Sequence, residues 1–274
     1  MTRTLLITGC SSGIGLDAAR TMAARGWRVF ATCRRPEDCA RLTAEGLESL
    51  VLDIADPDSI GTALAEILAR TGGRLDALYN NAAFAIPGAV EDLPRAALAH
   101  AFETNLFGTH DLTRRVIPVM RAQGAGRIVN CSSVLGFAAL PWRGAYVATK
   151  FALEGLTDCL RREMAETPIR VSLIEPGPIT TAFRRNAARE FERWIDWPAS
   201  TRAAQYEAEL IPRLRSEAKD DHELPAAAVT RRLIHALESR SPRPRYFVTR
   251  PTWMAAAAVR LLPTGLVDRA FAGR

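Results

Sequence analysis

Tyr146 and Lys150 are the residues whose types and spacing most directly suggest chemistry. They stand four positions apart in Tyr-Val-Ala-Thr-Lys, a separation that puts two side chains on one face of a helix. Lys150 is one of only two lysines among 36 basic residues, so a generic solubilising role does not explain it. A nearby cation can lower the pKa of a phenol, normally about 10, which suits a tyrosine that exchanges a proton with a ligand. The alternative is an amphipathic helix that carries both residues by accident.

The strands and helices that would position these residues can be predicted from the sequence. Short apolar runs alternate with longer amphipathic segments, the pattern of a parallel sheet with helices on both faces. The predicted strands are residues 4–8, 27–32, 48–53, 75–79, 126–131, 169–174 and 245–248. The predicted helices are residues 14–25, 36–45, 57–70, 94–122 (one long helix or two), 145–166 and 226–239.

This pattern predicts an α/β fold: one Rossmann-type, doubly wound parallel sheet of about seven strands in a single domain over residues 1–274. Residues 177–225 break the period and carry several aromatic residues. They predict either an insertion at the substrate site or a pair of surface helices. Residues 250–274 predict a helical tail that could pack at a subunit interface, cover the substrate pocket or contact a membrane surface.

Composition excludes several classes of protein. The chain has 274 residues, of which 48% are hydrophobic and 24% charged, and a net charge of +6. The arginines are dispersed, so no nucleic-acid partner is expected. Five scattered cysteines without a Cys-x-x-Cys pair, and four histidines without metal-ligand spacing, predict a cytoplasmic protein with no metal site. We expect no signal peptide before the first strand, and the apolar run at residues 253–259 is too short to span a membrane.

A glycine-rich loop, Gly9-Cys10-Ser11-Ser12-Gly13-Ile14-Gly15, follows the first predicted strand and opens the first predicted helix. Glycine lets the backbone turn sharply and approach a pyrophosphate closely, and the free N–H groups of a helix N-terminus favour its charge. The position and pattern predict a dinucleotide site. The alternative is a glycine-rich turn with no ligand.

The second strand ends in Cys33-Arg34-Arg35, with no acidic residue before Glu37. Folds of this kind that bind NAD place an acid here, on the adenosine ribose. A guanidinium would instead pair with the 2′-phosphate of NADP. The sequence therefore favours NADP(H), with NAD(H) as the alternative, and with Arg34 ahead of Arg35 as the phosphate ligand. Either arginine could also simply solvate the next helix.

In combination, these motifs resemble the short-chain dehydrogenase/reductase family, in its single-domain branch, over residues 4 to about 182. Asp53, in Leu-Asp-Ile after the third strand, resembles the aspartate that holds the adenine amino group. Asn80-Asn81-Ala82-Ala83 stands where the family usually has Asn-Asn-Ala-Gly. The cofactor-binding residues that the resemblance and the motifs above imply are Gly9, Ser11, Ser12, Gly13, Ile14, Gly15, Arg34, Arg35, Asp53, Ile54, Asn81, Ala82, Tyr146, Lys150, Pro176, Gly177, Ile179 and Thr181.

The resemblance also implies four catalytic residues and a hydride transfer between nicotinamide and a carbonyl or alcohol carbon. Tyr146 would exchange the proton, and Ser133, thirteen residues upstream, would hydrogen-bond the same substrate oxygen. Lys150 would lower the pKa of Tyr146 and hold the nicotinamide ribose. Asn105, in Thr-Asn-Leu, would hold a water that links Lys150 to solvent.

The candidate substrate lining is apolar and aromatic, which favours a hydrophobic aldehyde, ketone, steroid-like or retinoid-like compound. Its residues are Phe84, Val134, Leu135, Phe137, Leu140, Trp142, Phe183, Trp194 and Trp197. We expect a homodimer or homotetramer. One rival is a non-catalytic NADPH-binding sensor or regulator on the same fold. Another is an epimerase or dehydratase of the extended branch, which usually has a larger C-terminal domain.

Overall fold

A computed structural model describes residues 2–218 and 220–271. The strands in these residues are β1 (Thr4–Ile7), β2 (Arg28–Cys33), β3 (Glu48–Val51), β4 (Ala77–Asn80), β5 (Gly126–Cys131), β6 (Ile169–Glu175), β7 (Ile179–Thr180), β8 (Leu224–Pro225) and β9 (Arg245–Phe247). The helices are α1 (Gly13–Ala24), α2 (Pro36–Ala44), α3 (Pro57–Thr71), α4 (Arg95–Phe102), α5 (Thr109–Ala122), α6 (Gly144–Glu163), α7 (Phe183–Trp194), α8 (Ala203–Gln205), α9 (Ile211–Arg215), α10 (Ala227–Glu238), α11 (Arg250–Leu261) and α12 (Thr264–Phe271).

Seven of the strands form one parallel sheet in the order β3-β2-β1-β4-β5-β6-β9. One apolar cluster packs α1 and α10 on one face, and a second packs α3 and α5 on the other. The doubly wound sheet of seven strands that the sequence predicts is therefore confirmed. Its strand order reverses between β1 and β4, so the carboxyl ends of these two strands open the crevice in which such sheets bind ligands.

The predicted helix over residues 94–122 is two helices joined by a π-helical turn, Glu103–Gly108. This turn contains Asn105, and it ends where Gly108 packs against the backbone of Ile54. A Cβ atom on Gly108 would lie 1.7 Å from the Ile54 carbonyl oxygen, so no larger residue fits there. The π-helical turn therefore holds the segment that contains Asn105 against the residues that follow β3, at the edge of the sheet where the candidate site lies.

Residues 177–225 are more regular than an irregular insertion. They contain α7, α8, α9, a second π-helical turn at Tyr206–Leu210 and a two-stranded parallel sheet of β7 and β8. Their aromatic side chains pack inwards, with the rings of Tyr206 and Trp142 4.8 Å apart and those of Phe191 and Tyr206 5.8 Å apart. Of the two alternatives, surface helices therefore describe residues 177–225 better than an irregular insertion does.

The tail forms two helices rather than one, because Pro263 separates α11 from α12. Residues 272–274 of the predicted tail lie outside the described residues. The start of α11 packs beside the end of β6: a Cβ atom on Gly177 would lie 2.1 Å from the Thr249 hydroxyl oxygen. No helix in residues 2–218 and 220–271 combines the length and apolarity that a membrane span needs.

A buried ion cluster ties α6, β6 and β9 together. The Arg245 guanidinium donates to Glu175 at 2.6 Å, to Asp158 at 2.7 Å and to Glu154. Glu154 and Glu175 are buried. Three carboxylates share one cation, and burial together with repulsion by Glu154 raises the pKa of Glu175 to about 8, although Arg245 opposes the shift.

Replacing Arg245 with Met is expected to lower the free energy of unfolding by about 3–5 kcal/mol, because it leaves buried carboxylates without a cation. Chemical denaturation followed by circular dichroism measures this loss. A parent-like unfolding midpoint for Arg245→Met would show that the cluster contributes little.

Glu175→Gln is the matched control, since Glu154 and Asp158 still hold the guanidinium. Because the folded-state pKa of Glu175, about 8, exceeds its ordinary value of 4.5, its stabilising contribution is complete below pH 4.5 and is lost as the pH rises through 8. The Gln variant, which resembles the protonated acid, should therefore gain stability relative to the parent between pH 6 and pH 9.

Candidate active site

Lys150 is a buried ammonium held at the end of β5. It lies on α6, is 2% exposed, and its Nζ donates to the Cys131 carbonyl oxygen at 2.8 Å. Nζ also lies 5.6 Å from the centroid of the Tyr146 ring. Burial lowers the pKa of Lys150, while Cys131 and Glu154 raise it. The predicted helix does bring the phenol and the ammonium to one face.

Tyr146 is buried beside Lys150, in a small cluster with Ala85 and Ala187. Burial raises the pKa of Tyr146 well above its ordinary value, and Cys131 raises it further, whereas Ser133 lowers it. The contribution that lowers the pKa of Tyr146 comes from Ser133 and not from Lys150, and removal of the phenol from water outweighs it. Tyr146 is accordingly a protonated phenol at neutral pH.

Ser133 begins a short 3₁₀ turn directly after β5. Its hydroxyl accepts a hydrogen bond from the Leu135 backbone N–H at 3.1 Å, and it lies close enough to Tyr146 to influence the phenol. The neighbouring Ser132 is buried. Ser133, Tyr146 and Lys150 therefore converge at the carboxyl end of β5, with Ser133 in the place that the sequence predicts.

Asn105 is buried in the π-helical turn, where its side chain bonds to Phe84 and Thr149. Its amide nitrogen donates to the Phe84 carbonyl at 2.9 Å and to the Thr149 hydroxyl at 3.1 Å, and its oxygen accepts from the Phe84 N–H at 3.0 Å. Thr149 in turn donates to the Tyr146 carbonyl at 2.8 Å. The side chain of Asn105 thus holds the segment after β4 against α6, and it is not bonded to Lys150.

The glycine loop is pressed against the segment that follows β4. A Cβ atom on Gly15 would lie 2.3 Å from the Gly9 carbonyl oxygen and 2.6 Å from Asn81 Nδ2. One on Gly9 would lie 2.9 Å from the Ala82 Cα atom. Gly9 and Gly13 have φ angles of +72° and +58°, which favour glycine. The loop is therefore a close-approach turn whose geometry only glycine satisfies.

Side chains around the loop fix its position. Asn81 donates to the Thr8 and Gly9 carbonyl oxygens at 3.0 and 3.2 Å. The Thr8 hydroxyl accepts from the N–H groups of Asn81 and Ala82, each at 3.0 Å. Thr181 closes the other side, since a Cβ atom on Gly13 would lie 3.0 Å from its methyl group. The structure thus joins three segments that the sequence predicts to bind cofactor.

The N-terminus of α1 is open to a ligand. Ser12 precedes the helix without a side-chain capping bond, and no acidic residue stands in the first turn of this described helix. Its N–H groups and positive dipole end are therefore available to an anion. Ile14 packs against the core, and Ser11 is tied down by a hydrogen bond of 2.7 Å from Arg41 to its carbonyl oxygen.

Arg34 and Arg35 differ in their partners. Both are exposed at the end of β2, but Arg35 pairs with Asp38 at 3.1 Å, whereas Arg34 has no ion pair within the part of the chain that the structure describes. Asp53 and Ile54 follow β3. One oxygen of Asp53 accepts from the Ala55 N–H at 3.0 Å, which is the local turn bond, and Ile54 is buried against Gly108.

The residues predicted to line the substrate site do not all lie beside Tyr146. Phe183 contacts the edge of the Tyr146 ring, with centroids 5.3 Å apart, and Leu135 packs against the same cluster. Phe84 and Trp194 flank His100 at 5.0 and 5.7 Å. Phe137 instead packs on Phe247, 5.7 Å away. Trp142 and Trp197, like Phe84 and Trp194, pack against the core cluster that includes Phe191 and Tyr206. Of these residues, Phe183 and Leu135 border the phenol.

Sequence reasoning missed several residues that shape the site. Thr8, Thr149 and Arg41 act through hydrogen bonds to residues 30 or more positions away, for which no local motif exists. Glu154 could have been found, since it lies four residues after Lys150 and therefore on the same helix face. Glu175 is buried at the end of β6, directly before Pro176. Ile179 lies farther along the chain, in β7.

Known proteins share this arrangement of sequence and fold. The family model described as short chain dehydrogenase matches residues 3–192. The chain is 38% identical over 273 residues to the uncharacterized oxidoreductase YbbO of Escherichia coli K12, which covers 100% of this chain and 95% of the relative. It is 35% identical over 265 residues to human 17-beta-hydroxysteroid dehydrogenase type 1, over 91% of this chain and 78% of that one.

A solved structure of a short chain dehydrogenase/reductase from Burkholderia phymatum, in complex with NAD, matches with a TM-score of 0.78 and 25% identity. The match covers 95% of this chain and 92% of the other. The close-approach glycines and the open N-terminus of α1 fit the same class of ligand here, a nicotinamide dinucleotide.

Gly15→Ala is expected to weaken binding of NADH and NADPH about tenfold or more, because the added methyl group must displace Gly9 or Asn81. Titration calorimetry or quenching of tryptophan fluorescence measures the affinity. Gly155→Ala is the control: Gly155 lies on α6 with open space around it, so that variant should bind as the parent does. Equal affinities for all three proteins would show that the loop does not cradle the cofactor.

Proposed function

Because the chain belongs to the short-chain dehydrogenase/reductase family, we propose that it is an NADP(H)-dependent oxidoreductase acting on a hydrophobic carbonyl or alcohol, with Tyr146 as the proton donor and acceptor. The observation that carries this proposal is the meeting of Tyr146, Ser133 and Lys150 at the end of β5, on the same edge of the sheet as the glycine loop that follows β1. A dinucleotide lying along the crevice would reach from one to the other.

The bound cofactor would supply or accept the hydride, and the protein's own groups handle the proton and the positions of the reactants. In reduction, Tyr146 gives its proton to the substrate oxygen, and Ser133 donates a hydrogen bond to the same oxygen and so stabilises its developing charge. Lys150 places a positive charge beside the phenol as it loses its proton. Pro176, Gly177, Ile179 and Thr181 would contact the nicotinamide end.

The raised pKa of Tyr146 is compatible with this role. Burial keeps the phenol protonated, which is the form that reduction needs. In oxidation the phenolate must form, and the ammonium of Lys150 favours it. Glu154 helps to keep that ammonium charged against the effect of burial. We propose that Asn105 supports the pair by fixing α6 through Thr149, and that the relay to solvent uses a water held near this turn.

Preference for NADP(H) is proposed from the difference between two neighbouring arginines. Arg34 has its guanidinium exposed at the end of β2 and free of ion pairs in the described residues, whereas Arg35 is engaged by Asp38. A 2′-phosphate would therefore find Arg34 available and would meet no acid at the end of the strand. Asp53 and Ile54 would border the adenine.

The proposed substrate is an apolar aldehyde, ketone or alcohol, including steroid-like and retinoid-like compounds. Phe183 and Leu135 contact the Tyr146 cluster, and the rings of Phe84 and Trp194, which flank His100, would extend this apolar surface. The relative named 17-beta-hydroxysteroid dehydrogenase type 1 is consistent with such a substrate. We also propose that the protein is cytoplasmic and that it forms a homo-oligomer. The exposed side chains of Phe107 and Phe151, on helices around the site, support the homo-oligomer.

Tyr146→Phe is expected to reduce turnover by about 100- to 10,000-fold while NADPH binding stays at the level of the parent. The assay follows the nicotinamide absorbance with a panel of hydrophobic aldehydes, ketones and alcohols, with NADPH and NADH in parallel. Retained turnover in Tyr146→Phe would refute the assignment of the proton donor. Absence of turnover by the parent with every substrate, despite tight NADPH binding, would favour the non-catalytic sensor.

Arg34→Gln is expected to lower the preference for NADPH over NADH about tenfold, because it removes the cation that would pair with the 2′-phosphate. The measurement is the ratio of kcat/KM for the two cofactors with one carbonyl substrate. Arg35→Gln provides the comparison and should change the ratio less, since its guanidinium is already paired. A parent enzyme without preference for NADPH would contradict the assignment.

A further inference from the structure

Helix α11 turns its large apolar side chains outwards and its small ones inwards. Trp253, Met254 and Leu261 are 54%, 66% and 79% exposed. The buried residues of this helix are Thr252, Ala255 and Ala256. A helix that served only to cover the body of the protein would have the opposite arrangement, with its apolar stripe towards the core. Packing within the described chain therefore does not explain the outward side chains.

The exposed side chains of α11 share one face. Successive residues of an α-helix are about 100° apart, which places six exposed positions within an arc of about 120°. We call this arc the α11 face, and it consists of Arg250, Trp253, Met254, Ala257, Arg260 and Leu261. Leu262 at the end of α11 and Leu266 in α12 are exposed as well and add to the apolar surface of the tail.

Ring contacts hold α11 in place on the end of the sheet. The Trp253 ring meets the Phe247 ring of β9 edge-on, with centroids 4.7 Å apart. The Arg260 guanidinium lies 5.8 Å from the Phe247 ring and 5.9 Å from the Phe137 ring. Thr249 caps the start of the helix by accepting from the Thr252 N–H. The α11 face is thus presented by a fixed helix and not by a loose end.

The charge of the tail indicates what covers this face. Helix α11 contains no acidic residue, and residues 250–271 contain Arg250, Arg260 and Arg269 against the single acid Asp268. A second copy related by two-fold symmetry would set the arginines of the α11 face against the same arginines, with no acid on α11 to pair with them. An apolar and cationic face is complementary instead to a surface that is apolar and anionic.

We propose that the α11 face binds the surface of a lipid bilayer that contains anionic lipids, with α11 lying in the plane of the interface. The Trp253 ring lies at the level of the headgroups, and Met254 and Leu261 enter the edge of the acyl region. The long side chains of Arg250 and Arg260 reach the lipid phosphates. This inference goes beyond the proposed function and does not depend on the chemistry at Tyr146.

The first test is co-sedimentation of the full chain with vesicles of phosphatidylglycerol and phosphatidylcholine, and with vesicles of phosphatidylcholine alone. The parent should bind the anionic vesicles more tightly, and Leu261→Ser should lower that partition coefficient about tenfold, because it removes apolar surface from the interface. Val90→Ser is the matched control. Val90 is 73% exposed but lies outside the tail, so this variant should bind as the parent does.

The contribution of charge is tested with a second matched pair. Arg250→Gln should weaken binding to the anionic vesicles about fivefold and leave binding to phosphatidylcholine unchanged. Arg95→Gln is the control, since Arg95 is likewise exposed and likewise the first residue of a helix, α4. The proposal is overturned if the parent does not bind the anionic vesicles, or if Leu261→Ser and Arg250→Gln bind them as tightly as their controls.

The fluorescence of Trp253 reports whether the α11 face itself enters the interface. Its emission should shift to shorter wavelength on addition of the anionic vesicles, and lipids with brominated acyl chains should quench it. Trp253→Phe should keep the vesicle affinity within about twofold, because the ring stays apolar, and should lose most of the shift. An equal shift in Trp253→Phe would mean that another part of the protein meets the lipid, which overturns the assignment to α11.

Light scattering in solution tests the other occupant, a second copy of the chain. Leu261→Ser should have the same mass as the parent, because the α11 face is not an interface between copies. A smaller species in Leu261→Ser would show that a second copy covers this face and would overturn the proposal. Binding of NADPH at the parent level shows that each variant is folded. Vesicle binding needs no substrate, so failure of the proposed function would leave this result intact.

Discussion

The hydrogen bond from Lys150 to the Cys131 carbonyl is the interaction on which the site depends. An ammonium is expensive to bury, and this one is almost wholly removed from water. The bond fixes α6 to the end of β5 and holds the ammonium 5.6 Å from the centre of the Tyr146 ring. A guanidinium at this position would be too broad to take the same place, which gives a physical reason for a lysine in a chain that otherwise uses arginine.

Much of the fold follows from the sequence because its signals are local. The alternation of apolar runs and amphipathic segments predicts all seven strands of the main sheet, and β5 to the residue. Gly108 shows where this reasoning stops: its role is set by the Ile54 carbonyl, more than fifty positions away, and no local pattern records that contact. The π-helical turn of Asn105 was for the same reason not foreseen within the long predicted helix.

The candidate site could be predicted where its residues lie close together on one helix or in one turn. Tyr146 and Lys150 share a helix face, and the glycines share a turn, so both could be inferred without a structure. The lining of the substrate cleft was less accessible, because aromatic residues serve a core and a pocket equally well. Phe183 borders the phenol whereas Trp142 packs under the insertion, and only the tertiary arrangement separates them. The inward packing of Tyr206 shows that residues 177–225 are folded against the body of the protein.

The buried cation of the site is supported by an acid on its own helix. Glu154 lies four residues after Lys150 on α6 and raises the pKa of Lys150 against the effect of burial. Arg245 donates to Glu154, Glu175 and Asp158, so three acids share one cation. Glu175 takes up the proton that this crowding favours, because burial and repulsion by Glu154 raise its pKa to about 8. With Glu175 protonated, the ion cluster at β6 and β9 holds fewer competing charges, and Glu154 can support the ammonium on which the phenol depends.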